Sequence, residues 1–207
     1  MNRCQATVLN RRAVLGGALA LGLAGRVPAQ QPPASNRAKQ LVAAARAQIG
    51  VTLRYDPAYS VLAFPHGDVE RGKGVCTDVV IRAFRDALGL DLQALLHADM
   101  RAHFSAYSNI WGLRHPDRNI DHRRVPNLMT FWSRQGARLP VTNHVADWRA
   151  GDIFTSLVGG RLPHTGIVSD RKTEWGEPLV IHNIGAGTQE EAVLFEHRLT
   201  GHFRWQV

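Results

Sequence analysis

The sequence has few cysteines and no apolar run long enough to cross a membrane. It holds 2 cysteines, Cys4 and Cys76, so a disulfide framework is excluded. Its longest apolar stretch, near residues 13–24, is about a dozen residues, whereas a membrane-spanning helix needs about 20. It contains no internal repeat, which excludes solenoid and propeller architectures. These absences favour one globular domain with a single hydrophobic core.

Clustered positive charge is also missing. The formal net charge is +8. Because 4 of the 25 basic residues and none of the 17 acidic residues lie in residues 1–29, residues 30–207 have a formal net charge of about +4. The remaining arginines are scattered with few aromatic residues between them, which argues against nucleic acid as a partner. An anionic cell envelope suits this mild basicity at least as well.

The first 29 residues are typical of an export signal. Arg11-Arg12 precedes the apolar run, and Val27-Pro28-Ala29 supplies a small-residue cleavage site. We therefore predict a twin-arginine signal peptide over residues 1–29, cleaved after Ala29, with a retained membrane anchor as the alternative. The mature protein is then expected to be a periplasmic or secreted monomer with no stable membrane span.

The pattern after this signal changes from helical to strand-like along the chain. Residues 30–35 are predicted to be a disordered lead-in and residues 36–207 a single domain. Apolar residues at helical spacing predict helices over residues 36–49, 76–88, 91–104 and 125–135. Later patterns predict strands near residues 152–158, 164–169, 178–183, 192–195 and 201–205. Helices first and strands afterwards indicate the α+β class, with N-terminal helices packed on an antiparallel sheet.

Cys76 stands at the predicted start of the second helix, after the turn-forming Gly72 and Gly74. Unpaired N–H groups and the positive end of the helix dipole lower the pKa of a thiol there, so we expect a nucleophilic thiolate at neutral pH. The alternative is a small buried hydrophobic side chain. After signal cleavage Cys76 is the sole cysteine and is bound for an oxidising compartment, which favours a thiol kept for its reactivity.

A cysteine nucleophile needs a base and a third group that orients the base. His164 opens one predicted strand and His182 closes the next. If these strands are antiparallel neighbours joined by a turn at residues 170–177, the start of the first lies beside the end of the second. The two histidines are then expected to lie close together, with the Cys76 helix packed across that sheet.

Four motifs carry a resemblance to a known group of enzymes: Gly74-Val75-Cys76-Thr77-Asp78, Gly151-Asp152, His164-Thr165-Gly166-Ile167-Val168 and His182-Asn183. The chain resembles the NlpC/P60 group of papain-like cysteine peptidases and, over residues 37–205, more closely an exported bacterial family of unknown function within it. The resemblance implies a papain-like fold in which Cys76 is the nucleophile, His164 the general base and acid, and His182 the orienting residue. It also implies amide bonds of peptidoglycan stem peptides as substrate, with no cofactor or metal.

The sequence departs from that group at the oxyanion site. Many members carry a tyrosine shortly before the cysteine, thought to bind the oxyanion, and Phe64 stands at this position here. Phenylalanine donates no hydrogen bond, so the backbone N–H of Cys76 needs a second donor, for which Tyr59 and His66 are the candidates. Asp78, in the first helical turn, opposes thiolate formation if it lies near the sulfur.

The loop between the third and fourth predicted helices, residues 105–126, is long enough to line a site. Within it, Arg123 and Arg124 are candidates for binding substrate carboxylates through paired N–H groups. The equally open alternative is that these arginines pair with Asp117 and Asp121 and hold the loop in place.

The predicted function is an exported cysteine hydrolase that cleaves amide bonds, with peptidoglycan as the expected partner. Two alternatives share the fold: a cell-envelope binding module without turnover, and an acyltransferase that uses the same Cys76 and His164 pair. A metal-dependent hydrolase is disfavoured, since none of the 10 histidines forms a His-Glu-x-x-His motif.

Overall fold

The structure is a computed structural model that describes Met1 and residues 34–205. Beyond Met1 the predicted signal peptide lies outside the described residues, as do residues 30–33 of the predicted lead-in. The described residues 34–205 belong to one compact unit. In the described part of the chain, no helix combines the length and the apolar character needed to cross a membrane.

Four α-helices come first, as the apolar spacing predicts: α1 (Asn36–Arg46), α2 (Cys76–Leu88), α3 (Leu92–Ala102) and α4 (Val125–Arg134). Side chains cap the starts of α1 and α3, because the Ser35 hydroxyl accepts the N–H of Ala38 and the Asp91 carboxylate accepts the N–H of Gln93. α2 ends at Gly89, whose φ of 66° lies in the left-handed region that glycine tolerates best. α1 and α3 end slightly earlier than predicted.

Two short parallel strands, β1 (Arg54–Tyr55) and β2 (Lys73–Gly74), lie between α1 and α2 in the chain. Six further strands form an antiparallel sheet: β3 (Arg138–Leu139), β4 (Ile153–Val158), β5 (Leu162–Lys172), β6 (Pro178–Asn183), β7 (Thr188–Glu191) and β8 (Arg198–Phe203). Their order across the sheet is β3-β8-β4-β5-β6-β7. The predicted α+β class with an antiparallel sheet is therefore confirmed.

The prediction of a strand at residues 192–195 is wrong. β7 ends at Glu191, and residues 192–197 form an irregular turn that leads to β8. Leu194 is fully buried in this turn, in a small core with Trp148 and Phe154. An apolar run buried in a turn resembles a strand in sequence, whereas the polar residues of β7 show no apolar alternation.

Helices and sheet meet in the main hydrophobic core. Ile153, Ile167 and Ile181 are register partners on β4, β5 and β6, and they share this core with Val80 and Phe84 of α2. All five are 2% exposed or less, and full burial of such side chains contributes roughly 1.5–3 kcal/mol each. This packing lays α2 across β5 and β6, as the sequence predicts.

Candidate active site

Cys76 is the first residue of α2, and its thiol lies among backbone N–H groups. The residue is 3% exposed. Its sulfur accepts hydrogen bonds from the backbone N–H groups of Thr77, of Cys76 itself and of Thr165 on β5. The first two belong to the N–H groups that a helix start leaves unpaired. The third comes from the sheet, so α2 carries the thiol to the beginning of β5, next to the residue that follows His164.

His164 and His182 lie side by side, as the strand pattern predicts. β5 and β6 are antiparallel neighbours with Gly166 opposite His182, and Nε2 of His164 lies 2.8 Å from Nδ1 of His182. Both side chains are buried. The predicted adjacency of the two histidines is therefore confirmed, and their catalytic roles stay predictions.

The thiol contacts the backbone of β5, where the side chains of His164 and Thr165 point to opposite faces of the sheet. Successive residues of a strand point to opposite faces, so His164 leaves β5 on the side of Phe154, whose ring centre is 5.9 Å away, and Thr165 leaves it on the helix side. Among the hydrogen bonds of residues 34–205, none joins the Cys76 thiol to His164, and Nδ1 of His164 has no partner. This nitrogen is free to receive a proton.

A carboxylate completes the row of imidazole rings. Glu191 lies on β7, the edge strand beside β6, and its Oε2 is 3.0 Å from Nε2 of His182. Sequence reasoning missed Glu191, because the apolar run after it predicts the strand and so nothing places its side chain beside His182. We refer to the four residues Cys76, His164, His182 and Glu191 together as the row.

Burial raises the pKa of the Cys76 thiol to about 11. Within this net shift, the N–H of Thr165 lowers the pKa, and the charge of Asp78 raises it, as predicted. The expectation of a thiolate at neutral pH is therefore wrong for the resting site, because desolvation outweighs the N–H groups at the helix start. Asp78 accepts the N–H of Val75 at 2.7 Å and pairs with Arg123 at 2.9 Å.

Burial also keeps the histidines neutral. Burial and, to a smaller extent, the neighbouring His182 together lower the pKa of His164 to about 3. Burial lowers the pKa of His182 as well, while the carboxylate of Glu191 opposes that shift. At neutral pH the resting site therefore contains a thiol and two neutral imidazoles.

Tyr55 is a second residue that sequence reasoning missed. β1 pairs in parallel with β2, and Tyr55 stands opposite Gly74, two positions before the cysteine. Partial burial, then Cys76 and then Asp78 together raise the pKa of Tyr55 to about 12, and a hydrogen bond with Cys76 contributes, so the phenol lies beside the thiol. Its hydroxyl is a hydrogen-bond donor of the kind that Phe64 lacks. No local signal marks Tyr55, since its position depends on a pairing between distant segments.

The two predicted oxyanion donors lie elsewhere. The Tyr59 hydroxyl donates to Asp117 at 3.1 Å, and the His66 side chain is 62% exposed beside Asp91. Neither residue lines the cleft that contains Cys76. Proximity in the sequence is what favours Tyr59 and His66, and the turns between residue 56 and β2 direct both away from the thiol.

A cleft of about 310 Å³ leads to the thiol. The long loop before α4 forms one wall, as one of the two readings of residues 105–126 predicts. The lining is largely apolar, with a few polar side chains: Tyr55, Pro57, Val75, Cys76, Ile110, Trp111, Ile120, Arg123, Arg124, Val125, Pro126 and Pro163. An apolar cleft with few polar groups is the usual form of a small-molecule or peptide site.

The two arginines of the loop have different surroundings. The side chain of Arg123 is 2% exposed and donates to both Asp78 oxygens and to the carbonyls of Asp56 and Ala58. The prediction of Arg123 as a carboxylate receptor is therefore corrected, because four of its five guanidinium N–H groups already donate within the protein. Arg124 forms an ion pair with Asp121 at 3.0 Å, which is one of the predicted alternatives. Its guanidinium also lies over the Trp111 ring in the cleft, 4.1 Å from the ring centre.

Metal ligands do not converge in the described residues. Among residues 34–205, no three histidine, cysteine, aspartate or glutamate side chains are grouped so that they could hold an ion. His202, for example, is buried against Asp152 at 2.8 Å and stacks on Trp148. Its contacts account for a structural role.

The sequence is similar to one family and to a bacterial relative. Residues 42–205 match the family described as "Domain of unknown function (DUF1287)". A protein of Escherichia coli (strain K12), "Uncharacterized protein YijF", is 53% identical over 163 residues, which are 79% of this chain and 79% of the relative. The family match extends from α1 through β8 and contains the whole row from Cys76 to Glu191.

Proposed function

The chain belongs to the family described as Domain of unknown function (DUF1287), and from that premise we propose that it is an exported cysteine hydrolase of the papain-like, NlpC/P60 type that cleaves amide bonds. One observation carries the proposal. The Cys76 thiol lies at a helix start, against the N–H that follows His164, with His182 behind that histidine. The family description names no activity, and the chemistry of these groups supports the proposal.

In the proposed reaction, Nδ1 of His164 takes the thiol proton while the sulfur of Cys76 attacks the carbonyl carbon of an amide. Proton transfer accompanies the attack, because the resting thiol and imidazole are both neutral. The carbonyl electron pair moves to oxygen, and the backbone N–H of Cys76 and the hydroxyl of Tyr55 donate hydrogen bonds to this oxyanion. The C–N bond then breaks, and the imidazolium gives its proton to the leaving nitrogen.

Water completes the turnover. His164 takes a proton from water, and the oxygen attacks the thioester carbon. The C–S bond then breaks to release a carboxylic acid, and the imidazolium of His164 returns its proton to the sulfur and restores the thiol. Catalytic hydrogen bonds often tighten only in the complex with substrate, so these steps do not require a Cys76–His164 hydrogen bond in the structure described here for residues 34–205.

We assign the amide bonds of peptidoglycan stem peptides as the substrate. The predicted twin-arginine signal would direct the chain to the compartment that contains this polymer. Nε and Nη2 of Arg124 have no hydrogen-bond partner among residues 34–205, so they can receive a stem-peptide carboxylate in the cleft. Recovery of a chain that begins at Gln30 from the periplasm would support export, and recovery with Arg11-Arg12 still attached would oppose it.

The test is digestion of purified sacculi, with fragments identified by mass spectrometry. We expect the wild-type protein to release new amine and carboxyl termini, whereas Cys76→Ala and His164→Ala release none and His182→Ala keeps partial activity. An unchanged unfolding temperature shows that each variant is folded. Full activity of Cys76→Ala would refute the proposal.

Two other outcomes identify the alternatives. Cosedimentation of the wild-type protein with sacculi, without release of fragments, would identify an envelope-binding module. Transfer of the acyl group to an added amine, in place of hydrolysis, would identify an acyltransferase that uses the same pair.

A further inference from the structure

Glu191 occupies the outer end of the row of imidazole rings. It stands opposite Val180 in the pairing of β6 with β7, on the face of the sheet that carries His182. Its Oε2 lies 3.0 Å from Nε2 of His182, whose Nδ1 is 2.8 Å from Nε2 of His164. The three side chains are therefore joined by two hydrogen bonds in series.

These hydrogen bonds determine where each ring carries its proton. A carboxylate only accepts, so Nε2 of His182 must donate to Glu191. A neutral imidazole has one N–H, so Nδ1 of His182 is left as an acceptor and receives the N–H of His164 Nε2. The remaining nitrogen, Nδ1 of His164, then has a free lone pair.

We propose that Glu191 is a positioning residue that fixes the tautomers of both histidines and so makes Nδ1 of His164 the base for the Cys76 thiol. This inference rests on the proposed function for its consequence in catalysis. Without the carboxylate, His182 can carry its proton on Nδ1. His164 must then accept at Nε2 and present an N–H at Nδ1, which cannot take the proton of a thiol.

The carboxylate also acts on the charge that develops during the reaction. The imidazolium of His164 forms when the thiol proton is transferred, and the negative charge of Glu191, one ring away, stabilises it. Other ionisable groups that act on the pair are Glu196 and His197, in the turn before β8. Of the three residues Glu191, Glu196 and His197, Glu191 is the one that accepts a hydrogen bond from the histidine pair.

The neighbouring Glu190 provides a matched control. It is the adjacent residue of the same strand, stands opposite Ile181, and therefore points to the other face of the sheet. There it pairs with Arg46 at 2.8 Å and with Arg171 at 3.0 Å. Glu190→Gln removes one negative charge from β7 without touching the row.

The closing experiment measures the tautomers directly, by ¹⁵N NMR of histidine-labelled full-length chain. In the wild type we expect Nδ1 of His164 to be unprotonated and Nε2 protonated. Glu191→Gln should produce partial protonation of Nδ1, because a glutamine amide can donate as well as accept, and Glu190→Gln should retain the wild-type pattern. An unchanged pattern in Glu191→Gln would overturn the inference.

Kinetics supply the second readout. Glu191→Gln is expected to lower kcat roughly 10- to 100-fold with little change in KM, less than the ~10⁴-fold loss when the directly bound aspartate of a serine triad is replaced. The acid limb of the pH–rate profile should move to lower pH, since the base loses a nearby negative charge. If the tautomers shift as expected but the wild-type protein cleaves no sacculi, the proposed function fails and the proton arrangement stands.

Discussion

The phenol of Tyr55 lies beside the Cys76 thiol because β1 pairs with β2 immediately before α2. Gly74, opposite Tyr55, is needed for the close approach of the chain to α2. A Cβ at this position would lie 3.0 Å from an Asp78 carboxylate oxygen and 3.2 Å from Arg82. At the scale of single residues, the proposed oxyanion donor in place of Phe64 thus belongs to a different part of the chain.

Replacement of Tyr55 by phenylalanine tests this assignment. We expect Tyr55→Phe to lower kcat about 100- to 1,000-fold with little change in KM, because one oxyanion donor is lost in the transition state only. Steady-state kinetics on a stem-peptide substrate would measure the change. Tyr59→Phe, outside the cleft, is the control and should retain wild-type kcat. Wild-type kcat in Tyr55→Phe would exclude the phenol as a donor.

At the scale of elements, the start of α2 is held by a buried ion pair. Asp78 caps the helix by accepting the N–H of Val75, and Arg123 joins that carboxylate to the carbonyls of Asp56 and Ala58. The same arginine therefore fixes the helix start against the segment after β1 and against the loop before α4. The position of the thiol in the cleft depends on this connection.

Removal of Arg123 should destabilise the fold. We expect Arg123→Ala to lower the free energy of unfolding by about 3–5 kcal/mol, because the Asp78 carboxylate would stay buried without a partner. Arg71→Ala, which removes an ion pair with Asp86 in which both side chains are partly exposed, should cost less than about 1 kcal/mol. Urea denaturation measures both. Unchanged stability of Arg123→Ala together with a raised KM would restore Arg123 as a substrate-binding residue.

At the scale of the whole molecule, buried histidines make stability depend on pH. Burial lowers the pKa of His122 to about 4 and that of His164 to about 3. Below the ordinary histidine pKa of about 6.5 the unfolded chain takes up protons that the folded chain does not, so stability is lost as pH falls from there. The hydrogen bond from Arg71 lowers the pKa of Asp86, whose contribution is lost only at more acidic pH.

The free energy of unfolding should therefore fall between pH 7 and pH 4. The share of His122 is of the order of 3 kcal/mol at pH 4. Urea denaturation at a series of pH values should show a shallower decline for His122→Leu than for the wild type. His115→Leu, at an exposed position, should keep the wild-type slope. Parallel curves for His122→Leu and the wild type would contradict the role of His122.

The sequence by itself determined the helices, the α+β class and the adjacency of His164 and His182. These features depend on local periodicity, on helix ends such as Gly89, and on a hairpin between consecutive strands. It also singled out Cys76, although not the protonation state of its thiol.

Only the tertiary structure decided which other side chains meet the thiol and the histidines. Tyr55 arrives through a parallel pairing, Glu191 through an edge strand without apolar alternation, and Arg123 is removed from the candidate ligands by Asp78. The neutral thiol is also a tertiary effect, because desolvation depends on everything packed around Cys76. Contacts between distant segments and the burial they produce leave no periodic signal in the residues that take part.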